Sequence, residues 1–73
     1  DLIIERPGLS TVLVEIKSTK EIIDDHCKNL LSIEESFSKP IMYVLNNSKN
    51  TIMKGRVKYI NWKEGIKEIF DYN

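Results

Sequence analysis

The longest uninterrupted apolar segment of the chain, residues 41–45, is the sequence feature that most constrains the fold. A strand with one face in water alternates apolar and polar side chains, whereas a strand covered on both faces is apolar throughout. A membrane span needs about 20 apolar residues, so this segment is far too short to be one. Residues 41–45 therefore predict a central strand that is buried on both faces.

The segments before this strand predict an antiparallel hairpin. Residues 2–5 and 11–17 are rich in apolar and β-branched residues, which favour strands. A turn is expected at residues 7–10, because proline fixes its own φ and the following glycine permits a positive one. Period two places Leu13, Glu15 and Lys17 on one face of the second strand.

The remaining segments predict an α/β fold with a small mixed sheet. A helix that ends at Ser38-Lys39-Pro40 is indicated by residues at three- and four-residue steps, namely Ile22, Ile23, His26, Cys27, Leu30, Leu31, Glu34 and Phe37. Short strands are expected at 51–53 and 56–60. Asn61, with Glu64 three positions later, predicts the capped start of a last helix. Its buried stripe is expected to comprise Trp62, Ile66, Ile69 and Phe70. The predicted order is β-β-α-β-β-α.

The hairpin is expected to bring Asp1 close to Glu15 and Lys17, because antiparallel partners run past each other from the turn outward. Two carboxylates form a hard-oxygen site that suits Mg²⁺ or Mn²⁺, and the backbone carbonyl of Ile16 would add a third oxygen. Lys17 would orient or help to deprotonate a water and offset the charge of a pentavalent phosphate. We therefore predict Asp1, Glu15 and Ile16 as metal ligands and Asp1, Glu15 and Lys17 as catalytic residues.

Asp1, followed after thirteen residues by Glu15-Ile16-Lys17 at the end of a strand and before a helix, resembles the core motif of the PD-(D/E)xK (restriction-endonuclease-like) nuclease superfamily. The resemblance implies that Asp1 and Glu15 bind the divalent metal and that Lys17 assists the attacking water. Segments 14–19, 43–45 and 61–69 also look like the C-terminal nuclease-like domain of bacterial AAA-type ATP-binding proteins.

This resemblance implies that residues 1–73 are a single C-terminal nuclease-like domain, a fragment with a partial restriction-endonuclease-like core that lacks the N-terminal helix and strand. The expected activity is metal-dependent hydrolysis of nucleic acid, with the isolated fragment inactive. An ATPase domain in the parent chain is the expected partner, and a truncated sheet with an open edge favours a homodimer. The alternative is a non-catalytic interaction or regulatory module with a vestigial nuclease fold.

The charge distribution allows two interpretations. Eleven basic and eleven acidic residues give no net charge, which excludes a binder held on nucleic acid by net charge alone. Residues 1–37 carry four basic and eight acidic groups, whereas residues 38–73 carry seven and three. The two halves either complement each other within the fold, or form an acidic metal pocket beside a phosphate-tracking ridge of Lys49, Lys54, Arg56 and Lys58.

Several candidate functional residues also have a purely structural interpretation. Asp1, Glu15 and Lys17 could form the solvated face of a half-exposed hairpin. His26 either touches a phosphate or lies at the surface or core edge. Three aromatic residues either stack on bases or, as their apolar surroundings favour, pack in the core, namely Tyr43, Tyr59 and Trp62. The single cysteine, Cys27, is expected to pack as a small hydrophobe; it permits no internal disulfide and fits a reducing, cytoplasmic compartment. No membrane partner is expected, because the apolar runs are too short to span a bilayer.

Overall fold

A computed structural model describes residues 2–21 and 23–70, which form a five-stranded mixed sheet with helices on both faces. Three parallel strands lie at its centre, and one antiparallel strand flanks them on each side. In spatial order the strands are β1 (Leu2–Ile4), β2 (Val12–Ile16), β3 (Ile41–Asn46), β5 (Val57–Asn61) and β4 (Ile52–Lys54). The α/β class and the mixed sheet are confirmed. The short strands expected at 51–53 and 56–60 are both present, so the described residues contain one strand more than the predicted order, which counted the two as one.

β3 is the central strand, as its apolar sequence predicts. Its side chains alternate between two apolar clusters on opposite faces of the sheet. The α1-side cluster comprises Leu13, Leu30, Met42, Val44, Val57 and Tyr59. The α2-side cluster comprises Val12, Val14, Tyr43, Leu45, Ile60 and Ile69.

The hairpin between β1 and β2 is also confirmed. Its register pairs Leu2 with Val14 and Ile4 with Val12, so the first residues of β1 lie beside the carboxyl end of β2. The Leu9 N–H donates to the Arg6 carbonyl across the turn at 3.0 Å, and Gly8 adopts a φ of 75°, which suits glycine.

The helical connection between β2 and β3 differs from the single helix that the spacing predicts. It consists of a 3₁₀ turn (Asp24–Cys27), the helix α1 (Lys28–Ile33) and a second 3₁₀ turn (Glu34–Ser36). Aspartate, serine and β-branched residues are weak helix formers, which accounts for so short an α-helix. Leu30 is its buried anchor, whereas Ile23 and Leu31, both predicted on the buried stripe, are exposed. Ile22 lies outside the described residues.

The last helix, α2 (Trp62–Phe70), begins where the sequence predicts. The Asn61 Oδ1 accepts the Lys63 N–H at 3.0 Å, which confirms Asn61 as the capping residue. Ile69 is buried and Ile66 half-buried against the sheet, but Trp62 and Phe70 are exposed. The predicted stripe is therefore too wide. Within residues 2–21 and 23–70, the helices lack the length and apolar character needed to cross a membrane.

Candidate functional site

Glu15 is a buried carboxylate near the carboxyl end of β2. Its exposed fraction is 6 %, and strand alternation places it on the same face as Leu13 and α1. The Asn29 side-chain amide of α1 donates to Glu15 Oε1 at 3.0 Å, and Lys17 Nζ lies 3.8 Å from the same oxygen. A carboxylate that leaves water needs such partners, because an unpaired charge is costly to bury. The structure thus brings together two of the three predicted catalytic residues.

Lys17 has a fixed backbone and a partly exposed side chain. Its N–H donates to the Leu45 carbonyl at 2.9 Å and extends the pairing with β3 past the end of β2. Successive residues of a strand direct their backbone N–H and C=O groups to opposite sides of that strand. The Lys17 N–H faces β3, so the Ile16 carbonyl points away from β3 and toward the β1 side. The Lys17 ammonium therefore lies beside the Glu15 carboxylate, whereas the Ile16 carbonyl points to the β1 side.

Asp1, the other predicted carboxylate, lies outside the described residues. The described part of the site consists of Glu15, Lys17 and the Ile16 carbonyl. Among residues 2–21 and 23–70, no group of three histidine, cysteine, aspartate or glutamate side chains is placed to hold a metal ion. A metal site at Glu15 therefore depends on oxygen ligands besides the described carboxylates.

Asn29 and Asn46 belong to this edge of the sheet, although the sequence analysis did not single them out. Val44 is the register partner of Glu15, so Asn46, two residues further along β3, lies on the same face. Asn46 is 1 % exposed; its Oδ1 accepts the Ser48 N–H at 3.1 Å, and its Nδ2 has no partner in the described part of the chain.

The parallel strands β3 and β5 each end in asparagine, and β2 carries Glu15 as its last residue but one; this was the available signal for Asn46. Asn61 of β5 pairs in register with Asn46 and donates its side-chain amide to the Ser48 carbonyl at 3.1 Å. Open α/β sheets bind ligands at the carboxyl ends of their parallel strands. Glu15, Asn46 and Asn61 all lie at that edge.

The opposite face of this edge contains a cavity of about 300 Å³ between the sheet and the start of α2. Its lining is mostly apolar and comprises Ile16, Lys17, Ser18, Leu45, Asn47, Trp62 and Ile66. The Trp62 side chain is 42 % exposed, and the Lys63 ammonium lies over its ring, 5.5 Å from the centroid. Trp62 is thus a wall of the cavity, and its expected place in the core was wrong.

The predicted basic ridge is divided in the structure. Arg56 precedes β5, at the end of the sheet opposite Glu15, and its guanidinium donates two hydrogen bonds of 2.6 Å to Glu34. This hydrogen bond lowers the pKa of Glu34. Lys58 faces α2 and donates to Glu68 at 2.6 Å. The Arg56–Glu34 pair joins the basic half of the chain to the acidic half, as the interpretation of internal complementarity expects.

Four other residues considered for a functional role are buried or partly buried in the structure. The hydroxyl of Tyr43 donates to Glu68 Oε1, and that of Tyr59 donates to the Ile23 carbonyl, each at 3.0 Å. Cys27 packs against the α1-side cluster as a small hydrophobe. His26 is half-buried, and its Nδ1 has no partner within the described residues. Core packing is therefore confirmed for both tyrosines.

Comparisons of the chain with protein-family models, with curated proteins and with solved structures gave no match.

Proposed function

We propose that this chain is a nuclease-like domain of the PD-(D/E)xK type that hydrolyses phosphodiester bonds of nucleic acid with Mg²⁺ or Mn²⁺. The observation that carries the proposal is the buried Glu15 carboxylate with the Lys17 ammonium 3.8 Å away, at the carboxyl edge of the parallel strands. A partial restriction-endonuclease-like core, C-terminal to an ATPase domain, is the architecture in which we interpret this pair.

The proposed ligands are all oxygen groups, which suit a hard divalent cation. Glu15 supplies a carboxylate, the Ile16 carbonyl points to the adjoining edge, and Asp1 is the third proposed ligand. Bound there, the cation would polarise the phosphodiester and lower the pKa of the attacking water.

The protein's own groups have separate tasks in this proposal. Asn29 holds one oxygen of Glu15 by its 3.0 Å hydrogen bond and so fixes the carboxylate orientation. Lys17 places a positive charge where the attacked phosphate gains negative charge, and such a preorganised donor stabilises the transition state. Because the Lys17 side chain is 40 % exposed, a substrate can reach it from solvent.

A second candidate is a non-catalytic interaction or regulatory module with the same fold. The observation that favours it is that Glu15 Oε1 already accepts a hydrogen bond from Asn29 and lies beside Lys17. Such a satisfied carboxylate can serve a purely structural role.

Cleavage assays with the full-length protein separate the two candidates. Supercoiled DNA, single-stranded DNA and RNA are incubated with Mg²⁺, Mn²⁺ or EDTA. We expect metal-dependent cleavage that Lys17→Ala and Glu15→Gln each reduce by about 100-fold or more. Lys20→Ala is the matched control, because Lys20 is an exposed lysine outside the proposed site. Thermal unfolding of each variant checks that the fold is retained.

Two outcomes would contradict the nuclease proposal. If the wild type cleaves none of these substrates with either metal, the interaction module becomes the better description. If Lys17→Ala cleaves as fast as Lys20→Ala, then Lys17 has no part in the reaction.

A further inference from the structure

The cavity beside Trp62 has no role in the proposed hydrolysis, yet it adjoins the proposed catalytic residues. Lys17 lines the cavity and also lies 3.8 Å from Glu15 Oε1, so one residue connects the two faces of the edge. Leu45 and Ile66 form part of the apolar lining. Trp62, the largest aromatic side chain of the protein, is 42 % exposed at this position.

The lining is mostly apolar and includes the polar residues Lys17, Ser18 and Asn47. Trp62 offers an aromatic surface, and Ser18 and Asn47 offer a hydroxyl and an amide that can both donate and accept hydrogen bonds. Lys17 belongs to the lining, and Lys63, which lies outside it, holds its ammonium 5.5 Å from the Trp62 ring centroid. Both residues bring positive charge to the neighbourhood of the cavity. No acidic side chain lines the cavity within the described residues. Its occupant should therefore be flat and apolar on its faces, polar at its edges and joined to a negative charge.

We propose that this cavity binds one unstacked base of a single-stranded nucleic acid, with the adjoining phosphate at Lys17. The proposal rests on the proposed function, because it names the substrate form that the same edge of the sheet would cleave. A nucleobase has a flat π-face for Trp62 and hydrogen-bonding edges for Ser18 and Asn47. The volume of about 300 Å³ is at the lower end of ligand pockets and suits a single base.

Charge complementarity supports this occupant over an apolar one. A lipid chain or an apolar peptide side chain would gain nothing from Lys17 and Lys63, whereas a phosphodiester is attracted to both. Duplex DNA keeps its bases stacked inside the helix, so a base reaches the cavity only from a single strand or after it is flipped out.

Trp62 is the only tryptophan of the chain, and its fluorescence is therefore a direct probe of the cavity. The full chain is titrated with a short oligothymidylate in EDTA at low salt, which excludes cleavage. We expect saturable quenching of the Trp62 emission by the oligothymidylate. An abasic oligonucleotide of equal length and charge should leave the emission unchanged.

Variants test the same contact by the anisotropy of a labelled oligothymidylate. Trp62→Ala should weaken the affinity by about 5- to 150-fold, the range that corresponds to the loss of one stacked base. Trp62→Phe should recover most of the affinity, because it retains an aromatic face. Phe70→Ala is the matched control, since it removes the other exposed aromatic ring of α2, at the opposite end of the helix.

The outcomes test the base-binding proposal separately from the proposed hydrolysis. Equal quenching by the abasic strand, or an affinity that Trp62→Ala leaves unchanged, would overturn the base-binding proposal even if the protein cleaves nucleic acid. Base-dependent quenching by a protein that cleaves nothing would support the cavity proposal and contradict the hydrolysis.

Discussion

Gly65 shows how a single residue sets the distance between α2 and the sheet. The residue is buried in the first half of the helix, and a Cβ built there would collide with Leu45 Cδ2 and lie 3.0 Å from Ile60 Cγ2. Glycine within a helix costs about 1 kcal/mol relative to alanine. Here the close approach of α2 to β3 and β5 explains why glycine is present.

Gly65→Ala should therefore destabilise the protein in spite of its better helix propensity. Overpacking a core typically costs about 1–3 kcal/mol of folding free energy. Replacing glycine by alanine in a helix gains only about 1 kcal/mol, so the packing cost should dominate. Urea unfolding measures the change. In combination with Leu45→Ala, which removes the colliding atoms, the added cost of Gly65→Ala should disappear. A single Gly65→Ala variant more stable than the wild type would contradict the packing shown by the structure.

Individual site residues were predictable only where strand alternation determines their position. Glu15 and Lys17 are two residues apart in a strand, so their common face follows from the sequence. The partnership of Glu15 with Asn29 depends on how α1 lies across the sheet, which local patterns do not encode. Trp62 was misplaced for a similar reason: helical periodicity gives a face but not how far the sheet extends beneath it.

Between elements, the contact of β3 and β5 with α2 is polar at one point. The Tyr43 hydroxyl donates to Glu68 Oε1, and the Lys58 ammonium donates to the same oxygen. Burial, followed by the hydrogen bond to Glu68 and its negative charge, raises the pKa of Tyr43 to about 12. The native state therefore favours the neutral phenol.

This raised pKa makes the stability of the protein fall at alkaline pH. An unfolded tyrosine ionises with a pKa near 10, whereas the folded Tyr43 keeps its proton up to about 12. The stabilisation is complete below pH 10 and is lost progressively between about pH 10 and 12, because only the unfolded state releases the proton there. Glu68→Gln should lower the Tyr43 pKa partway toward 10, since burial remains.

The Tyr43 Cζ chemical shift, followed by NMR during an alkaline titration, measures this pKa directly. Glu64→Gln is the matched control, because Glu64 is an exposed carboxylate of the same helix that is paired with Lys67 instead. An unchanged Tyr43 titration in Glu68→Gln would show that the Glu68 charge has no influence on it.

Elements with a strong apolar signal were predicted well, whereas weakly periodic ones were not. β3 and the Pro-Gly hairpin follow from residues 41–45 and 7–10. The region 24–36 divides into two 3₁₀ turns and a short α-helix, because its residues favour turns as much as helix and tertiary packing at Leu30 decides the outcome.

Across the whole molecule, the two apolar clusters share the three parallel strands. The α1-side and α2-side clusters are formed by alternate residues of β2, β3 and β5, so neither can lose its packing without affecting the strands that support the other. The overall class and the mixed sheet were predictable because they follow from element order. The short strands expected at 51–53 and 56–60 are both present as β4 and β5, although the predicted order counted the two as one.

Leu30→Ala should test this coupling. Leu30 is fully buried on the α1 side, and its truncation should lower the free energy of unfolding by about 2–5 kcal/mol. Because both apolar clusters are built on the same three strands, the urea midpoints from circular dichroism and from Trp62 fluorescence should fall together. This should hold although Trp62 lies on the opposite face of the sheet from Leu30. Leu31→Ala, at a neighbouring residue that is 43 % exposed, should change the stability by less than about 1 kcal/mol. Separate midpoints for the two probes would contradict a single cooperative unit.

We propose that a divalent cation binds at the edge of the sheet occupied by Glu15 and Lys17. Manganese is paramagnetic and broadens the NMR signals of nuclei close to it, so a Mn²⁺ titration followed by ¹H–¹⁵N spectra locates the ion without requiring activity. The proposal predicts that the amides of Ile16 and Lys17 broaden first and that Glu15→Gln abolishes this effect. Broadening that begins at the exposed carboxylates elsewhere, or that is the same in Glu15→Gln, would contradict the claim.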